Sequence, residues 1–288
     1  MTPQMIPAPK DQIDPVGIIG LGIIGSRVAE LLQNKKNFPL FVWNRTPQPL
    51  PNLLDSPLAV AESANILQIF VRDGAALLEV LEQLSPALTP SHLVLNHATV
   101  SPQEVLEAAA LVDKGGAQFL DAPFTGSRDA AAAGKLVYYL GGSSEAMERA
   151  MPLLKLSSKE ILPMGPIGSA TTVKIATNMI MAAQVKALAE SMTLLKLTNI
   201  PLQRLQEALV HNAAYSPVIA MKLPLILQGN FEPHFSTKNM LKDLRFALAL
   251  AKEHHVEFPA TATTADALEN LMSQGLGDKD YSVLAESL

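Results

Sequence analysis

The 288-residue chain is 48% hydrophobic and 17% charged, has a formal net charge of -5 and contains no cysteine. This excludes disulfides, thiolate catalysis and cysteine-ligated metals. The acidic balance, with no basic run or base-stacking cluster, argues against nucleic-acid binding. The length lies near the size at which one core divides, so two domains are expected.

The opening MTPQMIPAPKDQIDP, residues 1–15, is polar and proline-rich and is expected to be a flexible tail without an apolar signal core. No later run approaches the roughly 18 apolar residues of a spanning helix, and a cytoplasmic protein is the expectation. From Val16 a short apolar strand runs into Gly20-Leu21-Gly22-Ile23-Ile24-Gly25, and SRVAELLQN follows with helical spacing. Glycines in this pattern at a strand-to-helix turn suit a pyrophosphate, because they permit the tight turn, the close backbone approach and the close helix packing. Taken alone, such a turn can also be purely structural.

A second strand, Leu40 to Trp43, ends in Asn44-Arg45-Thr46, where dinucleotide folds place the group that reads the adenosine ribose. Arg45 suits a 2′-phosphate, which favours NADP over NAD; the other reading is a solvated surface arginine. The proline-rich stretch 47–65 is too short for a full crossover helix at its start. Strands at 66–71, 93–96 and 118–121, alternating with helices at 75–84 and 102–112, imply a parallel, doubly wound α/β sheet of Rossmann type. His97, beside a strand end, has no carboxylate or serine near it in sequence and reads as structural. The His254-His255 pair reads as solvated, near a helix end.

The run Asp121-Ala-Pro-Phe-Thr125-Gly126-Ser127 offers a hydroxyl and backbone N–H groups in a loop of small residues, which can hold a carboxylate or be a simple turn. A strand at 137–140, a helix at 144–154 and a strand at 160–164 close the first half. Then comes a long helix, Gly168 to Asn199. On it Thr171, Lys174 and Asn178 share a face with Met181, Val185, Leu188 and Met192. An ammonium on so apolar a face needs water, a partner or a ligand; by itself it can also be a lysine that snorkels. Helices at 202–212, 217–227, 237–255 and 260–274 follow, the third capped by Ser236 or Thr237, with Met192, Met221 and Met240 expected in the core.

In order, GLGIIG, DAPFTG, Gly168-SATTV-Lys174-IAT-Asn178 and Lys242-Asp243-Leu244 resemble the motifs of the β-hydroxyacid dehydrogenases, relatives of 6-phosphogluconate dehydrogenase, over nearly the whole chain. The resemblance implies a dinucleotide-binding Rossmann domain at 16–166, an interdomain helix at 167–198 and an all-α substrate and oligomerisation domain at 199–288, assembled as a homodimer or homotetramer. It implies Lys174 as the acid/base group, Asn178 as a substrate-holding residue, and Thr125 and Gly126 as the carboxylate seat. Thr99 and Lys242 would approach the cofactor, while Phe235 and Asp243 would line the substrate pocket. The NRT run, the Ser127-Arg128 pair and Phe235 look most like the NADPH-dependent glyoxylate and succinic semialdehyde reductases. The sequence departs from the family pattern at Asn96, Ala98 and Thr125 and in the short segment after Arg45. The implied activity is reduction of a small aldehyde acid with NADPH, NADH being possible. The alternatives are an NAD-dependent 3-hydroxyisobutyrate or tartronate semialdehyde enzyme, an imine reductase-like enzyme, or a silent NADP-binding scaffold.

Overall fold

The computed structural model describes residues 13–35 and 38–286, so positions 1–12 of the expected tail lie outside the described residues. The chain divides into two compact units between Lys174 and Ile175.

The first unit is built on five parallel strands, β1 (Val16–Ile19), β2 (Leu40–Trp43), β3 (Ile66–Ile69), β4 (Leu93–Asn96) and β5 (Gln118–Asp121), in the order β2-β1-β3-β4-β5. Helices α1 (Ile23–Gln33), α2 (Pro57–Ser63), α3 (Gly74–Leu84) and α4 (Pro102–Asp113) connect them. Every residue of β1, β3 and β4 is buried, as a sheet covered on both faces requires. Side-chain alternation divides the core between the faces: Val16, Ile18, Leu93 and Leu95 pack on one side, and Ile19, Leu67, Ile69 and Val94 on the other. The abbreviated stretch after β2 yields the seven-residue α2, whose N-cap Ser56 accepts the Ala59 N–H.

After β5 the alternation breaks. The chain makes a two-residue strand β6 (Phe124–Thr125), the five-residue helix α5 (Arg128–Ala132) and β7 (Leu136–Gly141), which runs antiparallel to both β5 and β6. So short a helix cannot carry the chain back across the sheet for a parallel return. Helix α6 (Ser144–Leu154) then restores parallel pairing between β7 and β8 (Ser158–Gly165).

Helix α7 (Ser169–Leu197) begins in the first unit and continues into the second. The second unit adds α8 (Gln203–Leu209), α9 (Pro217–Leu227), α10 (Thr237–Glu253), α11 (Pro259–Ser273) and a short 3-10 turn, Tyr281–Glu286. Ala182, Val185, Ala189, Leu223, Met240, Leu244, Leu268 and Leu284 form its core. Met192 and Met240 are buried as expected, but Met221 is exposed. The inward face of α9 carries Val218, Ile219, Lys222, Leu223 and Ile226, so the position beside Met221 that turns inward belongs to a lysine. Ser236 precedes α10 without capping it; its hydroxyl is buried and unbonded among the described residues. Among those residues no helix is long and apolar enough to cross a membrane.

Candidate active site

The glycine turn joins β1 to α1. Gly20 has φ +94°, and a Cβ there would lie 2.1 Å from the Phe70 carbonyl oxygen. A Cβ on Gly25 would lie 2.0 Å from the Gly20 oxygen, so only glycine allows the turn to fold back on the helix. Gly22 differs: among the described residues, its chain neighbours aside, no heavy atom lies within 4 Å of its Cβ position. Helices α2 to α6 each begin with a Ser or Asp side chain that accepts a first-turn N–H, whereas α1 begins with Gly22 and no side-chain cap. Bare first-turn N–H groups beside an open backbone face fit a dinucleotide pyrophosphate. Ile23 and Ile24 open the helix, Ile23 largely exposed.

At the end of β2, Asn44 is occupied at both ends of its amide. Its Oδ1 accepts the Leu21 N–H at 2.9 Å and its Nδ2 donates to the Thr46 carbonyl at 2.7 Å. Arg45 and Thr46 are exposed, and the Arg45 guanidinium makes no hydrogen bond or ion pair among the described residues. Gln48, which the sequence did not single out, donates to the Leu21 carbonyl at 3.1 Å.

Asp121 at the end of β5 is fully buried. Its Oδ2 accepts the Thr171 N–H at 2.8 Å and its Oδ1 accepts the Thr171 hydroxyl at 2.6 Å. The carboxylate of the DAPFTG run therefore caps α7, satisfying a first-turn amide of the helix that carries Lys174. Burial raises the Asp121 pKa, and the bonds from Thr171 and Gly168 oppose that rise. Lys174, one turn further on, is buried. Thr99 and Thr125 are half-buried and Gly126 is exposed.

His97 is structural, as read. Its Nδ1 lies 2.7 Å from the Ala122 carbonyl, its Nε2 lies 3.0 Å from Gln68 Oε1, and its ring stacks on Phe70 at 4.4 Å. A neutral imidazole has one N–H, and Gln68 Nε2 is buried without a partner. Turning the Gln68 amide over lets it donate to Nε2 while Nδ1–H donates to Ala122, which pairs every group. Burial lowers the His97 pKa to about 4, against the raising effect of the Ala122 bond, so the ring is neutral at pH 7. His254 and His255 are exposed just beyond α10.

In the second unit, Asn178 Nδ2 donates to Asp243 Oδ2 at 2.6 Å, and Lys242 Nζ lies 3.2 Å from Asp243 Oδ1. Asn178 and Asp243 are buried; with its NH₂ committed, the Asn178 Oδ1 has no hydrogen-bond partner among the described residues. Phe235 packs edge-on against Tyr281, and its N–H donates to Asp280 Oδ2 at 3.1 Å. Asp280 also accepts both the His234 N–H and the buried Lys222 ammonium, at 3.0 and 2.7 Å. Burial alone would raise the Asp280 carboxyl, yet Lys222 and the bonds from Ser282 bring it below its ordinary value. Lys222 and Asp280 are 58 positions apart, and no local pattern announces their pairing.

The glycine turn and the parallel sheet define the class, a Rossmann-type dinucleotide-binding fold, here followed by a helical unit. Residues 15–165 match the NAD binding domain of 6-phosphogluconate dehydrogenase, and residues 168–288 match the NAD-binding domain of NADP-dependent 3-hydroxyisobutyrate dehydrogenase. The chain belongs to the β-hydroxyacid dehydrogenase family. It is 28% identical to glyoxylate/succinic semialdehyde reductase 1 of Arabidopsis thaliana, an alignment covering 95% of this chain and 98% of the relative. It is also 28% identical to 2-hydroxy-3-oxopropionate reductase of Escherichia coli, over 95% of this chain and 96% of that one. The same fold occurs in 3-hydroxyisobutyrate dehydrogenase of Mycobacterium tuberculosis, solved with L-serine, with a TM-score of 0.87 at 24% identity over 96% of this chain and 99% of that one.

Proposed function

We propose that the protein is an NADPH-dependent reductase of a small aldehyde acid of the glyoxylate or succinic semialdehyde type, with Lys174 as proton donor. The observation that carries this reading is the Asn178 amide. Asp243 accepts from its NH₂ at 2.6 Å, which fixes the amide's orientation and leaves its buried carbonyl oxygen without a hydrogen-bond partner among the described residues, one helical turn from the Lys174 position.

Bound NADPH would supply the hydride. The Lys174 ammonium stabilises the negative charge developing on the carbonyl oxygen and then gives that oxygen its proton, joining electrostatic to acid catalysis in one group. Asn178 Oδ1 receives the hydroxyl so formed. In this reading the Thr125 hydroxyl and Gly126 N–H would seat the carboxylate, Phe235 and Asp243 would contact the substrate, and Thr99 and Lys242 would contact the cofactor. The first-turn N–H groups of α1 would hold the pyrophosphate, and Arg45 with Thr46 would read the 2′-phosphate. The same reading assigns residues 16–166 to a cofactor domain, 167–198 to a linking helix and 199–288 to a substrate and oligomerisation domain. Exposed Ile180, Leu194 and Leu197 on α7 support a homo-oligomer.

The test is NADPH oxidation with a panel of glyoxylate, succinic semialdehyde, 2-hydroxy-3-oxopropionate and their longer homologues. Saturable turnover of one or more is expected; tight NADPH binding without turnover of any member would overturn the substrate class.

A further inference from the structure

We infer that Gln48 is a positioning residue for the cofactor, holding the Leu21–Gly22 peptide so that the Gly22 N–H points at the pyrophosphate. The inference rests on the dinucleotide reading above and adds to it a residue outside the glycine motif and outside the Asn44-Arg45-Thr46 run.

Leu21 is the residue between the first two glycines of the turn, and both of its backbone polar groups are held by side chains from the segment after β2. Asn44 Oδ1 takes its N–H at 2.9 Å, and Gln48 Nε2 donates to its carbonyl at 3.1 Å. A trans peptide is planar, and its C=O and N–H point in opposite directions. Holding the Leu21 carbonyl at Gln48 therefore aims the Gly22 N–H the other way. Among the described residues no hydrogen bond from that N–H is made and, chain neighbours aside, nothing lies within 4 Å of the Gly22 Cβ position. Gly22 is otherwise free to rotate this peptide, glycine being the residue whose backbone is least restricted. Gln48 removes that freedom before the ligand arrives, which spares the binding step an ordering cost. Asn44 also bonds the Thr46 carbonyl at 2.7 Å, so the turn carrying Arg45 and the turn facing the pyrophosphate are joined through one strand end.

Gln48 and Arg45 should then separate by ligand. Calorimetric binding of NADPH, NADH and 2′-AMP, which has no 5′-pyrophosphate, is measured for the wild type, Gln48→Leu, the isosteric Gln48→Glu and Arg45→Ala. Loss of one oriented donor should weaken NADPH and NADH alike in both Gln48 variants, by about fivefold. The NADPH-to-NADH ratio and 2′-AMP binding should stay at the wild-type level. Arg45→Ala should instead change the ratio and weaken 2′-AMP. Wild-type affinity for both dinucleotides in the Gln48 variants, or a parallel loss of all three ligands, overturns the role of Gln48 alone. A wild type that binds neither dinucleotide overturns the cofactor reading beneath it.

Discussion

Asp121, the last residue of β5, grips Thr171 twice, taking its N–H at 2.8 Å and its hydroxyl at 2.6 Å through different carboxylate oxygens. The start of α7 is thereby fixed to the sheet one turn before Lys174. Asp121→Asn keeps the shape but turns an NH₂ towards one of two donors, and Thr171→Val removes one of the bonds. Each should lower stability by about 1–3 kcal/mol, the cost of a broken buried bond. Both should reduce kcat while NADPH affinity changes little. Thermal denaturation and steady-state kinetics check this, and unchanged stability with unchanged kcat would show that the contact does not position the helix.

The Lys222–Asp280 pair organises the turn before α10. Lys222→Met leaves a buried carboxylate without its cation and should cost about 3–5 kcal/mol. Adding Asp280→Asn to Lys222→Met should cost less than the two single effects summed, because the second change removes the stranded charge. Urea unfolding of the three variants measures the coupling. Strict additivity would contradict it.

His97 makes stability depend on pH. Its native pKa of about 4 lies below the ordinary 6.5, so the unfolded chain binds the extra proton between these values. Stability should be fully present above pH 6.5 and fall as the pH drops towards 4, by up to about 3 kcal/mol. His97→Phe, which keeps a ring against Phe70, should lose this part of the slope. Urea midpoints across pH 4–7 provide the comparison; equal slopes for variant and wild type would place the titration elsewhere.

Arg45 is exposed and unpaired among the described residues, free for a 2′-phosphate. Arg45→Asp should weaken NADPH much more than NADH, since it replaces a guanidinium with a charge that repels phosphate and accepts from a free 2′-hydroxyl. The ratio of kcat/KM for the two cofactors reports this, and an unchanged ratio would end the assignment.

Much of this architecture is legible in residue order because its signals are local. The strand-helix alternation through β5 follows apolar periodicity, and GLGIIG lies where strand becomes helix. The DAPFTG region was harder, since β6 and α5 are too short to display a period and the antiparallel return of β7 depends on that shortness. Side-chain partners across the fold were harder still. Asp121 and Thr171 are 50 positions apart, and Lys222 looks like any surface lysine until Asp280 is seen beside it. Hydrophobicity favours Met221 over lysine for the interior, and a buried ion pair reverses that preference locally. Gln48 carries no signal in sequence, for its role lies in which carbonyl it reaches.

The proposed reaction depends on Lys174 as its proton donor. Lys174→Ala, assayed with the preferred aldehyde acid and titrated with NADPH by fluorescence quenching, tests it most directly. Removing an acid/base group should lower kcat by at least about a hundredfold, while NADPH still binds with an affinity near that of the wild type. Near-normal turnover in that variant would rule out Lys174 as the proton donor.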